Sequence, residues 1–255
     1  MSADGHPTLC GIVFRGARWR KEWLEPGLSL VYTVNAEFLY WALRLPDYRE
    51  TLNRGDCTVD GKWVLLALQA KYGKDVAEHL PGSRLTPRLI ELASSEGLSI
   101  AIIGGTREAL DRARSRIKEK WGVIVYTHSP GRIPMDPSQA PGEIEEAARL
   151  ILEWRPDIVL IALGPPKQEL FINMLRPAME RAGTRLAMGI GGTVDMLAGI
   201  EKPAPRLVSR LGLEWLWRLA QNPGRRWRKV ARSIRGLACA FGEALSYRVR
   251  LRRVS

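Results

Sequence analysis

A carboxylate, an amide and a hydroxyl follow two short apolar runs in the first quarter of the sequence. Asp60 stands in VDGKWVLLAL, between a strand-like run and a helix-like segment. A carboxylate in this place can act as a general base toward a substrate hydroxyl, or it can cap the following helix. Thr33 and Asn35, in TVNAEFL, can likewise cap a helix or bind the hydroxyl and acetamido groups of a sugar. Position alone leaves both alternatives open and favours capping.

Two glycine-rich turns could approach a nucleotide closely. Gly104 and Gly105, in IGGTREAL, end a strand-like run and open a helix, where backbone N–H groups can hold a phosphate. An ordinary tight turn explains this pair equally well, since it matches neither GxGxxG nor a P-loop. In GIGGTVDMLAG, Gly189, Gly191 and Gly192 permit close backbone approach, and Asp195 is a candidate for binding ribose hydroxyls. The alternative is a helix-terminal aspartate in a glycine-rich turn.

The segment ALGPPKQEL is the strongest single indication of a site. Two prolines make the loop rigid, and Lys167, Gln168 and Glu169 then offer an ammonium, an amide and a carboxylate at the start of a helix. A solvated turn would not need this set. We expect Gln168 to face a ligand, with Lys167 or Glu169 in a structural role.

The elements that must position these residues alternate regularly along the chain. Residues 28–205 alternate short runs rich in valine and isoleucine with segments of helical periodicity. This pattern predicts an α/β fold, with a Rossmann-like, mostly parallel sheet and helices on both faces. Ligands of such sheets bind at the carboxyl ends of the strands, which is where the residues above fall. KPAPR interrupts the periodicity, so we expect a catalytic domain over 1–205 and a basic helical appendage over 206–255.

The positive charge of the protein is concentrated in its C-terminal fifth. The net charge is +12, and residues 200–255 hold 14 Lys and Arg against 3 Asp and Glu. Apolar side chains in this region recur at steps of three and four residues: Trp227, Val230, Ile234, Leu237, Phe241 and Leu245. Arg228, Arg232 and Arg235 flank them. An amphipathic basic helix of this kind is typical of attachment to an anionic membrane surface. A core or oligomer-interface helix, or a nucleic-acid contact, are the alternatives, and nucleic acid is the least favoured.

Several other classes of protein receive no support. No apolar run is long enough to span a bilayer, and the N-terminus lacks the apolar stretch of a signal peptide. We therefore expect a cytoplasmic protein, peripheral on the inner face of the cell membrane. The three cysteines lack CxxC spacing, the three histidines lack metal-ligand spacing, and there is no DxD motif. We expect neither a metal nor a cofactor.

Taken in order, these motifs resemble one bacterial glycosyltransferase family. The matching segments are TVNAEFL, VDG, GSRLTPRLIELA, IIGG, ALGPPKQEL, GIGGTVDMLAG and GLEWLWRLAQNPGRRWRK, over about residues 28–230. The family, of WecG/TagA/CpsF type, includes the teichoic-acid N-acetylmannosaminyltransferase and the N-acetylmannosaminuronate transferase of enterobacterial common antigen. The resemblance implies inverting transfer of an N-acetylmannosamine-type sugar from a UDP-sugar to a polyprenyl-diphosphate-linked sugar.

The resemblance also implies roles for individual residues. Asp60 matches the proposed base of the family, and Thr33, Asn35 and Gln168 match its pocket residues. Without a metal, arginines must stabilise the charge on the leaving UDP. Among the arginines of the basic tail, Arg218 and Arg225 are our first candidates for the donor diphosphate.

The chain also departs from the family pattern. Where the family has an Arg, then a Gly and an Asp two residues later, this chain reads HLPGSRL, with His79 and Arg84. Where the family tends to have Arg-Ala-Pro, this chain has Pro203-Ala204-Pro205. An ion pair and one candidate phosphate ligand of the family are therefore missing, which leaves the identity of the sugar open.

The main rival function is a non-enzymatic nucleotide-binding or nucleic-acid-binding module with a basic tail. An oxidoreductase is less favoured, because no dinucleotide fingerprint follows the first strand. A homo-oligomer is compatible with the sequence, which does not specify one.

Overall fold

The computed structural model describes most of the chain. Backbone structure is described for residues 1–202, 204–205, 207–208, 211–221 and 223–254. Within these ranges, the side chains of residues 218, 225, 226 and 251–254 are outside the description.

A six-stranded parallel sheet forms the centre of the fold. A short antiparallel pair, β1 (Thr8–Leu9) and β2 (Ile12–Val13), precedes it. The strands of the large sheet are β3 (Ser29–Val34), β4 (Asp56–Val59), β5 (Ile100–Ile103), β6 (Val125–His128), β7 (Ile158–Ile161) and β8 (Leu186–Gly189). Their order across the sheet is β4-β3-β8-β7-β5-β6. The prediction of an α/β fold with a parallel sheet is confirmed.

Helices follow the strands along the chain. The first five are α1 (Ala36–Arg44), α2 (Pro46–Asn53), α3 (Lys62–Tyr72), α4 (Gly82–Glu96) and α5 (Arg107–Trp121). The next three are α6 (Pro141–Trp154), α7 (Lys167–Ala182) and the short α8 (Thr193–Leu197). The last two described helices are α9 (Glu214–Gln221) and α10 (Pro223–Val254).

The central strands are apolar without alternation because both of their faces are covered. Every residue of β5, β7 and β8 is buried. In register, Ile100 of β5 pairs with Ile158 of β7, which pairs in turn with Leu186 of β8. Strands of a parallel sheet that is covered on both faces are typically continuous apolar runs, as IAII, IVLI and LAMG are here.

The chain forms two compact units. The first comprises Met1–Trp19, Thr33–Pro81 and Pro203–Ser255, and the second comprises Arg20–Tyr32 and Gly82–Lys202. Strand β3 passes from the second unit to the first between Tyr32 and Thr33. The division of the chain at residue 205 that the sequence suggested stays a prediction.

Within the first unit, α10 packs against α1 and α3 through its small residues. Gly236, Ala240 and Ala244 are buried. A Cβ added to Gly236 would collide with the carbonyl oxygen of Ala36 and lie 2.9 Å from the backbone nitrogen of Tyr40. The glycine therefore permits a close approach of the two helices.

A nearly buried ion pair also joins α10 to α3. Lys71 Nζ lies 2.6 Å from Glu243 Oε1, and the Lys71 side chain is 6% exposed. The second carboxylate oxygen of Glu243 accepts a hydrogen bond of 2.7 Å from the backbone N–H of Cys10. Burial acts to lower the pKa of Lys71, but hydrogen bonds to Glu243 and Tyr72 outweigh it and the pKa is raised. Lys71 therefore stays charged, and the carboxylate it holds anchors this part of α10.

Candidate active site

The first group of candidate residues lies where β3 and β4 end. The backbone N–H of Asp60 donates a hydrogen bond of 2.9 Å to the carbonyl oxygen of Val34, so Asp60 lies beside the end of β3. Thr33 is buried in that strand, and Asn35 directly follows it. Gly61 adopts a φ of +97°, a conformation that favours glycine, as the chain turns from β4 into α3. Thr33, Asn35 and Asp60 are therefore brought together.

Asn35 caps α1 with its side-chain amide oxygen. Its Oδ1 accepts a hydrogen bond of 3.0 Å from the backbone N–H of Glu37. Among the residues that the structure describes, Asn35 Nδ2 donates no hydrogen bond. The capping role that position alone favoured is therefore present, and binding of a sugar by the NH₂ group stays a prediction.

Asp60 stands one residue before the helix cap. The N-cap position of α3 is occupied by Gly61, and the helix begins at Lys62. The Asp60 side chain is partly exposed. This arrangement places a carboxylate at the carboxyl end of a parallel strand, where ligands of such sheets bind.

Gln168 belongs to the second unit and joins two loops there. It is 2% exposed, and its Oε1 accepts hydrogen bonds of 3.0 Å from the backbone N–H groups of Gly164 and Gly191. The structure engages its amide oxygen within the loops that follow β7 and β8, and the expectation that Gln168 faces a ligand stays a prediction. The contacts therefore support a role in shaping these two loops.

The neighbours of Gln168 have structural contacts of their own. Lys167 Nζ donates a hydrogen bond of 3.1 Å to the carbonyl oxygen of Ile133. Burial lowers the pKa of Lys167, and the positive charge of Arg132 lowers it further. Glu169 is fully buried.

Gly189, one of the glycines for which the sequence indicated close approach, is required by this packing. A Cβ on Gly189 would lie 2.5 Å from Gln168 Nε2 and 2.9 Å from Glu169 Oε1. Any side chain at this position would displace the two buried polar groups.

Substitution of Gln168 by alanine is expected to destabilise the protein. Two backbone N–H groups lose their acceptor, at a cost of about 2 kcal/mol in the free energy of unfolding. Urea unfolding measures this change, and the transferase assay should show weaker use of the donor. Wild-type stability and kinetics in the Gln168→Ala variant would contradict the loop-shaping role.

Gly104 and Gly105 form a turn that only glycine fits well. Gly104 has a φ of +103°, and a Cβ there would lie 2.8 Å from the carbonyl oxygen of Ala162. Gly105 has a φ of +87°, and its Cβ would lie 3.3 Å from a methyl group of Val194. Thr106 then caps α5 by accepting a hydrogen bond of 3.2 Å from Ala109. The turn alternative therefore explains both glycines, and phosphate binding by this turn stays a prediction.

The Gly104→Ala variant is expected to lose about 3 kcal/mol of stability, because strained backbone and a backbone collision combine. The same change at Gly142 serves as the control, since that glycine has no positive φ and a Cβ there would contact nothing. Thermal unfolding of the two variants measures the difference. Equal midpoints would show that the backbone at Gly104 relaxes without cost.

In the glycine turn after β8, one backbone N–H group already has an acceptor within the protein. The N–H of Gly191 is bound by Gln168, as described above. Gly192 is the N-cap residue of α8. Asp195 lies in α8, partly exposed, and its backbone carbonyl accepts hydrogen bonds from Ile200 and Glu201. Binding of a nucleotide by Gly192 and Asp195 stays a prediction, as does close approach at Gly191.

The remaining sequence predictions concern two arginines of the basic tail, one departure from the family pattern and the absence of a metal. The side chains of Arg218 and Arg225 lie outside the described residues, so their assignment to the diphosphate stays a prediction. Arg84, where the sequence departs from the family pattern, is exposed on α4.

In the described part of the chain, no group of three or more His, Cys, Asp or Glu could hold a metal ion.

The apolar residues of α10 divide between exposed and partly covered positions. Trp227 is 57% exposed, Ile234 is 61% exposed and Leu245 is 67% exposed. Phe241 is exposed as well, whereas Val230 and Leu237 are partly covered. We use the term outer apolar face for Trp227, Ile234, Phe241 and Leu245. No described helix is long and apolar enough to cross a bilayer.

Polar and glycine-rich loops after the strands of a parallel sheet are typical of nucleotide-binding α/β proteins. Comparison with known protein families identifies which family of α/β proteins the chain belongs to. The model of the Glycosyl transferase WecG/TagA/CpsF family matches residues 15–253. The protein therefore belongs to the WecG/TagA/CpsF family of glycosyltransferases, and the resemblance seen in the sequence is confirmed.

Proposed function

We propose that this glycosyltransferase moves an N-acetylmannosamine-type sugar from a UDP-sugar to a polyprenyl-diphosphate-linked sugar, with inversion, in the synthesis of a cell-surface polysaccharide. The observation that carries the proposal is the hydrogen bond between Asp60 N–H and Val34 O. It joins the backbone of Asp60 to the end of β3, one residue before Asn35, in a chain that belongs to a glycosyltransferase family.

In the proposed reaction, Asp60 accepts the proton of the acceptor hydroxyl. The acceptor oxygen then forms a bond to the anomeric carbon while the bond from that carbon to the UDP oxygen breaks. A general base contributes about a hundred- to ten-thousandfold to such a step. Asn35 Nδ2 and the Thr33 hydroxyl would bind polar groups of the sugar, since hydrogen bonds from fixed side chains orient a substrate.

The nucleotide is the proposed ligand of the glycine turns. Glycines carry no side chain, so a phosphate or a base can approach their backbone closely. The glycines proposed to do so are Gly104, Gly105, Gly191 and Gly192. Asp195 would accept hydrogen bonds from the ribose hydroxyls. The leaving UDP carries negative charge, for which we propose Arg218 and Arg225 as the counter-charges.

A lipid-linked acceptor requires access to a membrane surface, and α10 offers a means. Its outer apolar face is exposed, whereas its small residues make the contacts with α1 and α3. A helix that is only part of the core would bury its large apolar residues and expose its small ones. We propose that the outer apolar face lies in the headgroup layer of the inner face of the cell membrane, with neighbouring arginines near anionic lipids.

Nucleotide selectivity tests the proposal against the rival binding module. UDP should raise the thermal midpoint of the purified protein, because a ligand that binds only the folded state stabilises it. NAD and duplex DNA at matched concentration and salt should leave the midpoint unchanged. Stabilisation by duplex DNA but not by UDP would favour a nucleic-acid-binding module and contradict the proposed donor.

A further inference from the structure

Arg232 of α10 contacts the first turn of α1. Its Nη1 lies 2.9 Å from Glu37 Oε1, and its guanidinium carbon lies 4.8 Å from the centre of the Trp41 ring. The Arg232 side chain is 31% exposed. In the sequence, Arg232 lies with Arg228 and Arg235 on a flank beside the apolar face, and in the structure it forms an ion pair with α1.

Glu37 links this contact to the candidate site. Its side chain is 6% exposed, and its backbone N–H donates the hydrogen bond that Asn35 Oδ1 accepts. Asn35 in turn lies where β3 ends, beside Asp60. Arg232 is therefore connected to Asn35 through one intervening residue.

Two other contacts hold α10 in place after Arg232 along the helix. The close approach at Gly236 fixes the spacing between α10 and α1 one turn after Arg232. The ion pair between Lys71 and Glu243 anchors α10 three turns after Arg232. With α10 fixed in this way, the position of the Arg232 guanidinium is determined by the packing of the helix.

We propose that Arg232 is a positioning residue for the transfer reaction: through Glu37 it fixes the first turn of α1 and so the orientation of the Asn35 amide. The inference rests on the proposed function, in which Asn35 binds sugar. It also means that α10, the helix proposed to meet the membrane, determines the geometry of the sugar-binding residue.

The physical reason lies in the burial of the Glu37 carboxylate. A nearly buried carboxylate that loses its cationic partner must either move toward water or take up a proton. Either change disturbs the first turn of α1, which begins at Ala36. Small errors in the position of a substrate-binding group are costly because the reacting atoms must be closely aligned.

A double-mutant cycle tests the inference. The variants are Arg232→Gln, Glu37→Gln and the double variant, assayed for kcat, KM and UDP affinity with a water-soluble, short-chain acceptor and no vesicles. We expect each single variant to lower kcat about tenfold with UDP affinity unchanged, because UDP carries no sugar for Asn35 to hold. The double variant should be no worse than either single variant, since both remove one interaction.

Two further variants serve as controls. Arg232→Lys keeps the charge and should recover most of kcat. Arg54→Gln breaks an exposed ion pair with Glu50 in the same unit, so it should behave as the wild type. A vesicle-free assay keeps membrane binding out of the comparison.

Hydrogen exchange of residues 35–41 provides a readout that does not need turnover. Arg232→Gln and Glu37→Gln should speed exchange in this segment, and Arg54→Gln should not. If the wild type transfers no sugar but exchange changes as expected, the proposed function fails and the contact between α10 and α1 keeps its positioning role.

Unchanged kcat and unchanged exchange in the single variants would overturn the inference, as would additive losses in the double variant. Glu37→Gln leaves no unpaired carboxylate behind, so it carries the test if Arg232→Gln does not fold. In that case, wild-type kinetics and wild-type hydrogen exchange in Glu37→Gln would be enough to overturn the inference.

Discussion

The Asp60→Asn variant is expected to lose about a hundred- to ten-thousandfold in kcat, because asparagine cannot take the proton of the acceptor hydroxyl. The amide keeps the shape of the side chain, and the backbone hydrogen bond from residue 60 to Val34 is unaffected. UDP affinity should therefore stay close to that of the wild type. Initial rates of UDP release, together with UDP titration by calorimetry, measure the two quantities.

Asp56 provides a matched control for this prediction. Asp56 lies at the amino end of β4, whereas Asp60 follows the carboxyl end of the same strand. Asp56→Asn therefore makes the same chemical change at a distance from the proposed base. The control should keep kcat within about twofold of the wild type. Similar losses of folding stability and UDP affinity in Asp60→Asn would return Asp60 to a structural role.

The second large effect concerns the outer apolar face of α10. Replacing Trp227, Ile234 and Phe241 together by serine should weaken binding to anionic vesicles by at least about a hundredfold, because three large apolar groups are lost. The fold should survive, since the contacts with α1 and α3 are made by small residues and by the pair of Lys71 with Glu243. Vesicle co-sedimentation and the thermal midpoint measure the two properties.

The dependence of binding on salt and on lipid composition distinguishes a membrane from other partners of the outer apolar face. Binding of the wild type should fall as salt rises, since screening acts over about 8–10 Å near physiological ionic strength. It should also be weaker on vesicles without anionic lipid. If the serine variant binds vesicles normally but changes from dimer to monomer in sedimentation, the face is an interface between copies of the chain. Loss of duplex DNA binding instead would indicate a nucleic-acid partner.

The sheet could be predicted because burial on both faces leaves a strong pattern. IAII in β5 and IVLI in β7 are continuous apolar runs, each followed by a helix with regular periodicity. The carboxyl ends of parallel strands are where ligands bind, and this rule selects Asp60 and Asn35 from the sequence alone. The hydrogen bond from Asp60 to Val34 confirms that these two strand ends are adjacent.

The packing of α10 could not be predicted from the same reasoning. Helical periodicity identifies where the large apolar residues lie, and it does not tell whether that face meets protein, lipid or solvent. The residues that make the contact, Gly236, Ala240 and Ala244, contribute little to a hydrophobic pattern. The pair of Arg232 with Glu37 joins residues 195 positions apart, a distance over which sequence spacing carries no signal.

The role of Gln168 illustrates a second limit. Its place after a rigid strand-end loop predicted that the polar side chain has specific hydrogen-bond partners, and the structure contains such partners. Which partner satisfies it depends on the loop after β8, which brings the N–H of Gly191 within hydrogen-bond distance. Such a contact between loops depends on sheet order, because β7 and β8 are neighbours in space.

Sugar transfer itself is the most direct test of the proposed function. A panel of UDP-sugars is incubated with the wild-type protein and a short-chain lipid-diphosphate-linked amino sugar, and UDP release and the mass of the acceptor are followed together. The account predicts that a UDP-linked N-acetylmannosamine-type sugar gives equal amounts of UDP and of acceptor enlarged by one sugar, with little of either from Asp60→Asn. Transfer at the wild-type rate by Asp60→Asn, or no transfer from any UDP-sugar by a folded wild-type protein, would contradict it.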